Sequence, residues 1–368
     1  MNGRERYAAI MEYRPFDRLP VWFFDAWDET RPQWVSQGLS DWSNVAQETG
    51  MDPDWERGMW QCHGLVKNRA ISGLEREVLE ETDEYIVVRT PLGAIIKDSK
   101  TTSIPHHVKE ALEPTWESWR RFKKYLDPHD PSRRPPGWEI MADQLEKRTH
   151  CTTFLAGSLF GWPRDWLGVE QVSLLSYDDP VLYEDIISTI TDFFIEIHRP
   201  VLQRVHFDFA YIFEDCCGRS GPLFSPDTYR KHYHKHYSRL FEFYRANGVK
   251  HIMLDSDGYV EPLIPCWMES GVDILFPIEV GTWKASAVDI RRKFGRDLRM
   301  MGGVDKHVIP MGEKAIREHL EPMRPVVAEG GFIPIPDHRI PPSCSLEQFK
   351  TYVRVFKETF ADCGGPRK

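Results

Sequence analysis

Seven short apolar runs, each stopping abruptly at polar residues or glycine, restrict the fold of this 368-residue chain more than any other feature. Amphipathic stretches separate most of them, and one of these, 226–247, ends at a helix-stop glycine, Gly248. Strands that alternate with helices indicate parallel βα units, and so many units in one chain favour a closed barrel over an open sheet. We therefore predict an α/β fold, a (β/α)8 TIM barrel. The runs are 19–24, 153–156, 207–213, 251–254, 272–276, 298–301 and 332–335.

Two further segments complete this prediction. The barrel needs an eighth strand, and 51–60 is the best remaining segment for it. Residues 84–97 read as two strands around a Pro-Leu-Gly turn, so we expect a β-hairpin excursion at about 80–100 inserted into the barrel. The whole chain, 1–368, is then a single domain.

The composition excludes several classes of protein. A net charge of −9 and a pI near 5.9 argue against a nucleic-acid binder. No apolar run approaches the roughly 18 residues of a membrane helix, and the seven cysteines form no regular disulfide framework. We expect a cytoplasmic protein without nucleic-acid or membrane partners.

Acidic residues gather where the predicted strands end. In a barrel these positions converge on one mouth, where many carboxylates would repel each other unless they were protonated, paired or bound to a cation. A divalent metal is one solution, and a histidine with carboxylates makes a plausible zinc set. The residues are Asp25, Glu214, Asp215, Asp255, Asp257, Glu279, Asp305 and His338.

Structural interpretations of the same residues remain open. Some of the acids would cap the helix that follows each strand, and Asp257-Gly258 would serve as a turn. No compact zinc motif such as Cys-x-x-Cys occurs, and neither does a dinucleotide-binding, phosphate-binding or serine-hydrolase motif.

Aromatic residues are also dense near the start of the chain. They would form either core packing or the walls of an aromatic pocket, and composition alone does not separate these alternatives. The cluster consists of Trp22, Phe23, Phe24, Trp27, Trp34, Trp42, Trp55 and Trp60.

An ordered set of motifs over nearly the whole chain resembles the uroporphyrinogen decarboxylase superfamily. The resemblance implies a TIM barrel. The motifs are Asn2-Gly3-Arg4-Glu5-Arg6, Phe16-Asp17-Arg18-Leu19-Pro20-Val21-Trp22, Gly168-Val169-Glu170, Tyr177-Asp178-Asp179-Pro180, Ser220-Gly221-Pro222-Leu223-Phe224-Ser225-Pro226, Asp257-Gly258, Ile264-Pro265, Gly271-Val272-Asp273, Gly302-Gly303-Val304-Asp305-Lys306, Gly330-Gly331-Phe332-Ile333-Pro334 and Asp337-His338-Arg339-Ile340-Pro341-Pro342.

The loop after the first predicted strand departs from the decarboxylases of that superfamily. They carry a Met-Arg-Gln-Ala-Gly-Arg type motif, whose arginines hold substrate carboxylates. This chain has Trp22-Phe23-Phe24-Asp25-Ala26-Trp27 instead. An acidic, aromatic loop cannot clamp a polycarboxylate by bidentate ion pairs, so porphyrinogen decarboxylation is not expected.

The corrinoid-dependent methyltransferase branch is the better match. Its coenzyme M methylases bind zinc through His-x-Cys and a later Cys, and the matching positions here are Asp255, Asp257 and His338, with Glu279 at a further acidic position. Oxygen and nitrogen ligands make zinc a harder Lewis acid, which favours cleavage of an O-methyl group over thiol methylation. The chain thus resembles the first methyltransferase of anaerobic O-demethylase systems, which act on methoxylated aromatic compounds.

This resemblance implies roles for the candidate residues. Zinc would be held by Asp257, Glu279 and His338, with Asp255 as a fourth ligand, and would activate the ether oxygen. The expected catalytic residues are Glu214, Asp257 and His338, with Glu214 as proton donor or as a partner of the ligands. The expected substrate-binding residues are Trp22, Phe23, Trp27 and Trp162, which would wall the pocket, and Arg164 or Arg339, which would pair with a substrate carboxylate.

The expected partners are a methoxylated aromatic substrate and a separate corrinoid protein that presents cobalt(I), with a homodimer as an allowed assembly. Two alternatives stay open. One is a corrinoid methyltransferase for another donor, such as methanol, a methylamine or a quaternary amine. The other is a barrel that binds a tetrapyrrole or corrinoid without catalysis.

Overall fold

The structure, a computed structural model, describes residues 1–59, 64–101 and 106–364. Within these ranges no helix combines the length and the apolar character needed to cross a bilayer. The strands are β1 (Glu77–Glu81), β2 (Tyr85–Arg89), β3 (Ile95–Ser99), β4 (His106–Lys109), β5 (Thr153–Gly157), β6 (Phe209–Phe213), β7 (Cys217–Gly218), β8 (Gly221–Pro222), β9 (His251–Asp255), β10 (Ile274–Ile278), β11 (Arg299–Val304) and β12 (Phe332–Pro336).

Helices separate most of the parallel strands, and two of the described helices begin at a capping box. Asn2 and Glu5 form a capping box at the start of α1, and Ser345 and Gln348 form one at α17. The longest helix, α9, continues two residues past Pro200. The helices are α1 (Gly3–Met11), α2 (Thr30–Ser36), α3 (Val45–Thr49), α4 (Trp55–Met59), α5 (Trp116–Phe122), α6 (Trp138–Glu146), α7 (Gly161–Leu167), α8 (Val169–Asp178), α9 (Pro180–Leu202), α10 (Pro226–His232), α11 (His234–Ala246), α12 (Ile264–Ser270), α13 (Val280–Trp283), α14 (Ala287–Phe294), α15 (Glu313–Leu320), α16 (Arg324–Glu329) and α17 (Leu346–Thr359).

Six of the seven predicted runs form one parallel sheet. Its strand order is β12-β11-β10-β9-β6-β5, and neighbouring strands pair in parallel. β5, β9, β10 and β12 are buried along their whole length, as expected for strands covered on both sides. The fold is α/β, and this sheet is the core of the predicted TIM barrel.

The sheet does not close into a full ring within the described residues, and two strand predictions were wrong. The first run, 19–24, forms no strand; a single parallel bridge joins Ala26 to Ile340, beyond the end of β12. Segment 51–59 contains α4 instead of the eighth strand, and Trp60 lies outside the described residues. Pro53 partly explains why this segment forms no strand, because proline has no N–H to donate to a neighbouring strand. The Asp52 carboxylate also accepts a hydrogen bond from the backbone N–H of Val21 at 2.7 Å, so this N–H is not available to a neighbouring strand.

The segment before β5 forms a separate antiparallel sheet. β2 and β3 pair around the Pro-Leu-Gly turn, with Arg89 opposite Ile95, and β1 and β4 extend this pair to the order β1-β2-β3-β4. β1 and β4 are exposed along their whole length.

Parallel pairing brings the carboxyl ends of the barrel strands to one edge. Phe213 and Phe276 both align with Asp255, and Val304 aligns with Pro336. A register shift between β10 and β11 depends on Gly302, whose φ is 112° and whose Cβ would lie 2.4 Å from the Ile278 nitrogen. The residues that follow these strand ends can therefore meet above the sheet.

Candidate active site

Asp257 and His338 form the centre of the candidate site. Each lies two residues beyond its strand, β9 or β12, and two strands separate these in the sheet. Their side chains nevertheless approach, with 3.4 Å between His338 Nε2 and Asp257 Oδ2. Asp257 Oδ1 and His338 Nδ1 are buried and have no hydrogen-bond partner among the described residues. The pair therefore spans the mouth of the barrel, and each of its two side chains has one atom that can still bind a ligand.

Aromatic rings surround the imidazole of His338. Phe24 meets it edge-on with ring centroids 5.1 Å apart, and Trp27 stacks on it at 5.5 Å with an interplanar angle of 28°. Phe276, in β10, packs edge-on against Phe24 at 5.0 Å. The imidazole therefore lies against an apolar wall in which Phe24 and Phe276 are buried and Trp27 is partly exposed.

Asp255 lies beneath this pair and is buried. The hydroxyl of Tyr211 donates a hydrogen bond to its Oδ2. Burial, followed by the negative charge of Asp257, raises the pKa of Asp255 well above its usual range, whereas the Tyr211 bond opposes that rise. Asp215 and Glu279 add to the rise, so the site favours the protonated, neutral form of Asp255.

Glu279, the residue after β10, holds two loops together. Its Oε2 accepts the amide of Gly258 at 2.8 Å, and its Oε1 accepts the hydroxyl of Thr282. Gly258 has a φ of 87°, and a Cβ there would lie 2.6 Å from the Cys217 oxygen. The position after Asp257 thus requires glycine, and Glu279 fixes its amide.

The expected zinc ligands are only partly assembled. Asp257 and His338 lie side by side, and each keeps one buried polar atom without a hydrogen-bond partner among the described residues. Asp255 and Glu279 instead hydrogen-bond Tyr211, Gly258 and Thr282. In the part of the chain that the structure describes, no three His, Cys, Asp or Glu side chains are arranged to hold a metal ion. Asp257 and His338 thus offer two donors of the types that bind zinc, whereas the carboxylates of Asp255 and Glu279 are bound within the protein.

Glu214 corrects one expectation. Its carboxylate accepts the backbone amides of Leu159, Phe160 and Gly161 at 2.8–2.9 Å, at the start of α7. Burial raises the pKa of Glu214 to about 7, and the three amide bonds oppose that rise. Because both oxygens face backbone amides, Glu214 anchors a helix start and is not positioned to donate a proton to a substrate.

Other acids of the predicted mouth are also paired with the protein itself. Asp25 Oδ2 accepts a hydrogen bond from Arg31 at 2.7 Å, and Asp215 Oδ2 accepts one from Arg164 at 2.8 Å. Asp305 caps the short helix Lys306–Met311. Arg164 is thus occupied by Asp215, which corrects its expected role with a substrate carboxylate.

Three of the four expected pocket walls are core residues. Trp22 is 1% exposed and stacks on Tyr7, and Phe23 is fully buried against Trp55 at 4.5 Å. Trp162 lies beneath α9, 4.6 Å from Phe194. Core packing, the structural alternative, explains these three positions, whereas Trp27 lies beside His338.

Arg339 differs from Arg164 in its surroundings. Its guanidinium carbon lies 5.4 Å from the centroid of the Trp27 ring, and the side chain is partly exposed. No carboxylate pairs with it within the described ranges.

Sequence reasoning missed Phe24, Phe276 and Tyr211 as members of the site. Phe24 could have been found, because it directly precedes Asp25 at the end of the first apolar run, where a barrel strand would reach the mouth. Phe276 and Tyr211 read only as apolar strand residues, and nothing in their local sequence distinguishes them.

Solved structures with a similar fold include a methyltransferase. One solved structure, a methyltransferase from Methanosarcina mazei, has a TM-score of 0.56 at 15% identity, and the match covers 97% of this chain and 99% of that one. Another, a B12-independent methionine synthase from Shewanella sp. W3-18-1 in complex with selenomethionine, has a TM-score of 0.45 at 11% identity over 93% and 96% of the two chains. No curated protein matches the sequence.

The family model described as uroporphyrinogen decarboxylase (URO-D) matches residues 139–359, which include β5 to β12, Asp257 and His338. The match covers more than half of the chain. The chain therefore belongs to the uroporphyrinogen decarboxylase family.

Proposed function

We propose that this protein is a methyltransferase that removes the O-methyl group of a methoxylated aromatic compound and transfers it to cobalt(I) of a corrinoid held by a separate protein. The observation that carries the proposal is the position of His338. Its ring lies between an aromatic wall, Phe24 and Trp27, and a carboxylate, Asp257. A flat aryl ether on that wall would bring its oxygen to the imidazole.

The leaving oxygen defines the chemical problem. When the methyl carbon–oxygen bond breaks, its electron pair stays on the oxygen, which leaves as a phenolate unless it receives a proton. His338 is the group that would donate this proton, and the carboxylate of Asp257 at 3.4 Å would stabilise the imidazolium beforehand. The methyl carbon forms its new bond to cobalt(I), which becomes methylcobalt(III).

The other polar residues would support this pair. Glu279 fixes the loop that carries Asp257 through the amide of Gly258. Asp255 accepts a hydrogen bond from Tyr211 and is close enough to Asp257 for the charge of Asp257 to raise its pKa. Zinc held by Asp257 and His338 would be the alternative activator of the ether oxygen, because an imidazole that binds a metal does not also serve as the protonated donor.

Decarboxylation of a porphyrinogen is the activity that the family name suggests, and the mouth opposes it. The substrate of that reaction is a polycarboxylate, which would approach the carboxylates of Asp257 and Glu279. In the loop after the first run, Asp25 is bound to Arg31 and no arginine stands between Phe24 and Trp27.

The test is methyl transfer to a free or protein-bound cobalt(I) corrinoid, measured by the loss of cobalt(I) absorbance. We expect methylcobalt(III) and the free phenol from a methoxybenzoate or a methoxyphenol. Aryl methyl ethers should react faster than methanol, because a phenolate is a far better leaving group than hydroxide. Uroporphyrinogen should be inert.

Turnover of methanol or a methylamine without activity on any aryl methyl ether would reject the O-demethylase proposal and favour another methyl donor. Binding of a corrinoid without any methyl transfer would favour the non-catalytic alternative. A reaction mixture that lacks the enzyme controls for direct attack of cobalt(I) on the ether.

A further inference from the structure

Arg339 is an arginine at the site whose charge the described protein does not neutralise. We propose that Arg339 binds the carboxylate of an aromatic acid, so that the substrates of this site are methoxylated aromatic acids in preference to neutral aryl ethers. The substrate class rests on the proposed function, whereas binding of an aromatic acid by Arg339 does not.

The position of Arg339 follows from backbone pairing. Trp27 N–H donates to the Ile340 oxygen at 3.1 Å, and Ile340 N–H donates to the Asp25 oxygen at 3.0 Å. These bonds hold the loop after the first run in register with the segment that carries His338 and Arg339. The same indole consequently contacts both side chains, with the imidazole at 5.5 Å and the guanidinium at 5.4 Å. Arg339 and His338, one member of the reacting pair, thus contact the same indole ring.

The neighbouring charges leave Arg339 available. Asp25, the nearest acid along this loop, is bound by Arg31. Arg164, the other candidate cation, gives hydrogen bonds to the carboxylate and the backbone oxygen of Asp215 at 2.8 and 2.6 Å. Among the described residues Arg339 has only the face of Trp27, which leaves its N–H donors free.

The chemistry of this arrangement favours a carboxylate. A guanidinium presents a planar fork of donors that matches the two oxygens of a carboxylate, and stacking on an indole holds the fork in one plane. A benzoate that lay with its ring near Trp27 would pair its carboxylate with Arg339 and direct a ring substituent toward His338. A neutral ether would leave the cation without this partner and would gain only the apolar contact.

Binding measurements separate this inference from the reaction itself. By calorimetry or by quenching of tryptophan fluorescence, the full-length protein should bind 4-methoxybenzoate and 4-hydroxybenzoate about ten- to a hundredfold more tightly than 4-methoxybenzamide. The amide has the same shape without the charge, so the ratio reports the ion pair.

Substitutions assign the effect to one residue. Arg339→Gln should reduce the acid-to-amide ratio to about one, and Arg339→Lys should restore it in part, because charge returns without the planar fork. In the steady state, Arg339→Gln should raise KM for 4-methoxybenzoate much more than it lowers kcat. Arg120→Gln is the matched control, since Arg120 also stacks on a tryptophan, Trp116 at 5.6 Å, but on a different helix, α5.

Equal affinity for the acid and the amide, or an acid preference that survives in Arg339→Gln, would overturn the proposal. An Arg339-dependent acid preference without any methyl transfer would uphold this inference and reject the proposed function. Methyl transfer that is equally efficient on neutral and acidic ethers would uphold the proposed function and reject this inference.

Discussion

The loops at one edge of the sheet use their ionisable residues in opposite ways. After β6, Glu214 and Asp215 are fully engaged, one by three backbone amides and the other by Arg164. After β9 and β12, Asp257 and His338 approach each other and retain buried atoms without partners. An acid at a strand end is therefore a reactive candidate only if the protein leaves it unsatisfied, and sequence position alone does not reveal that.

The largest expected difference between the loop after β6 and the loops after β9 and β12 is in activity. His338→Ala and Asp257→Ala should each lower methyl transfer, with the histidine change costing about 10²- to 10⁴-fold, because the leaving oxygen loses its proton donor. The measurement is the initial rate of methylcobalt(III) formation, with circular dichroism to verify folding. If a folded His338→Ala protein retained the full rate, the reactive assignment of this loop would be wrong.

The aromatic residues give the next largest effect, on stability. Trp22→Ala should lower the free energy of unfolding by about 3–5 kcal/mol, because it removes a buried ring from the core. Trp27→Ala should cost much less stability and should instead weaken binding of a methoxylated aromatic ligand. Denaturant unfolding and ligand titration of both variants test this contrast, which similar stability losses would contradict.

The acid after β6 predicts a pH dependence of stability. Burial raises the pKa of Glu214 from 4.5 to about 7, so the folded state favours the protonated form. The stability that this group contributes is complete below about pH 4.5 and is lost as the pH rises through 7. Relative to Glu214→Gln, the free energy of unfolding should therefore fall by up to about 3 kcal/mol across this window.

Parallel pH series of the wild-type protein and Glu214→Gln isolate this group from all other titrating residues. The comparison uses the difference in slope, so a constant loss of stability from the amide substitution does not affect it. Identical slopes between pH 4.5 and 7 would mean that the pKa of Glu214 is not raised by burial.

Metal binding gives a smaller but informative difference. We expect about one zinc per chain in protein purified without chelator, with affinity at least about tenfold weaker in Asp257→Ala and His338→Ala. Glu214→Gln should keep the metal, because its carboxylate faces α7. Elemental analysis after dialysis provides the measurement, and equal zinc content in all four proteins would remove Asp257 and His338 as ligands.

How far the sequence predicts this molecule depends on the range of the interaction involved. The six paired strands were predictable, since buried parallel strands leave local apolar runs bounded by polar residues. The strand prediction for run 19–24 was wrong because backbone pairing, not hydrophobicity, defines a strand. The backbone N–H of Val21 donates its hydrogen bond to the Asp52 side chain instead.

The site was predictable in composition but not in arrangement. The sequence indicates that Asp257, Glu279 and His338 share the mouth, because all three follow parallel strands. It cannot indicate that Glu279 accepts a hydrogen bond from Gly258 or that Glu214 accepts hydrogen bonds at the start of α7. These bonds depend on backbone amides that are distant in the sequence. Whether a tryptophan packs in the core, as Trp22 does, or lies beside His338, as Trp27 does, likewise depends on its position in the folded chain.

The bond between Glu279 and the amide of Gly258 makes that amide a natural spectroscopic reporter. Its proton is held in a buried, charge-assisted bond at 2.8 Å, one residue from Asp257. In a nitrogen-15 correlation spectrum such a proton resonates downfield and exchanges slowly with solvent. A ligand that drew Glu279 away would shift the resonance upfield and speed its exchange, whereas a ligand that contacted only Arg339 and Trp27 would leave it in place. A single glycine signal can thus record whether an occupant of the mouth has reached the loop that carries Asp257.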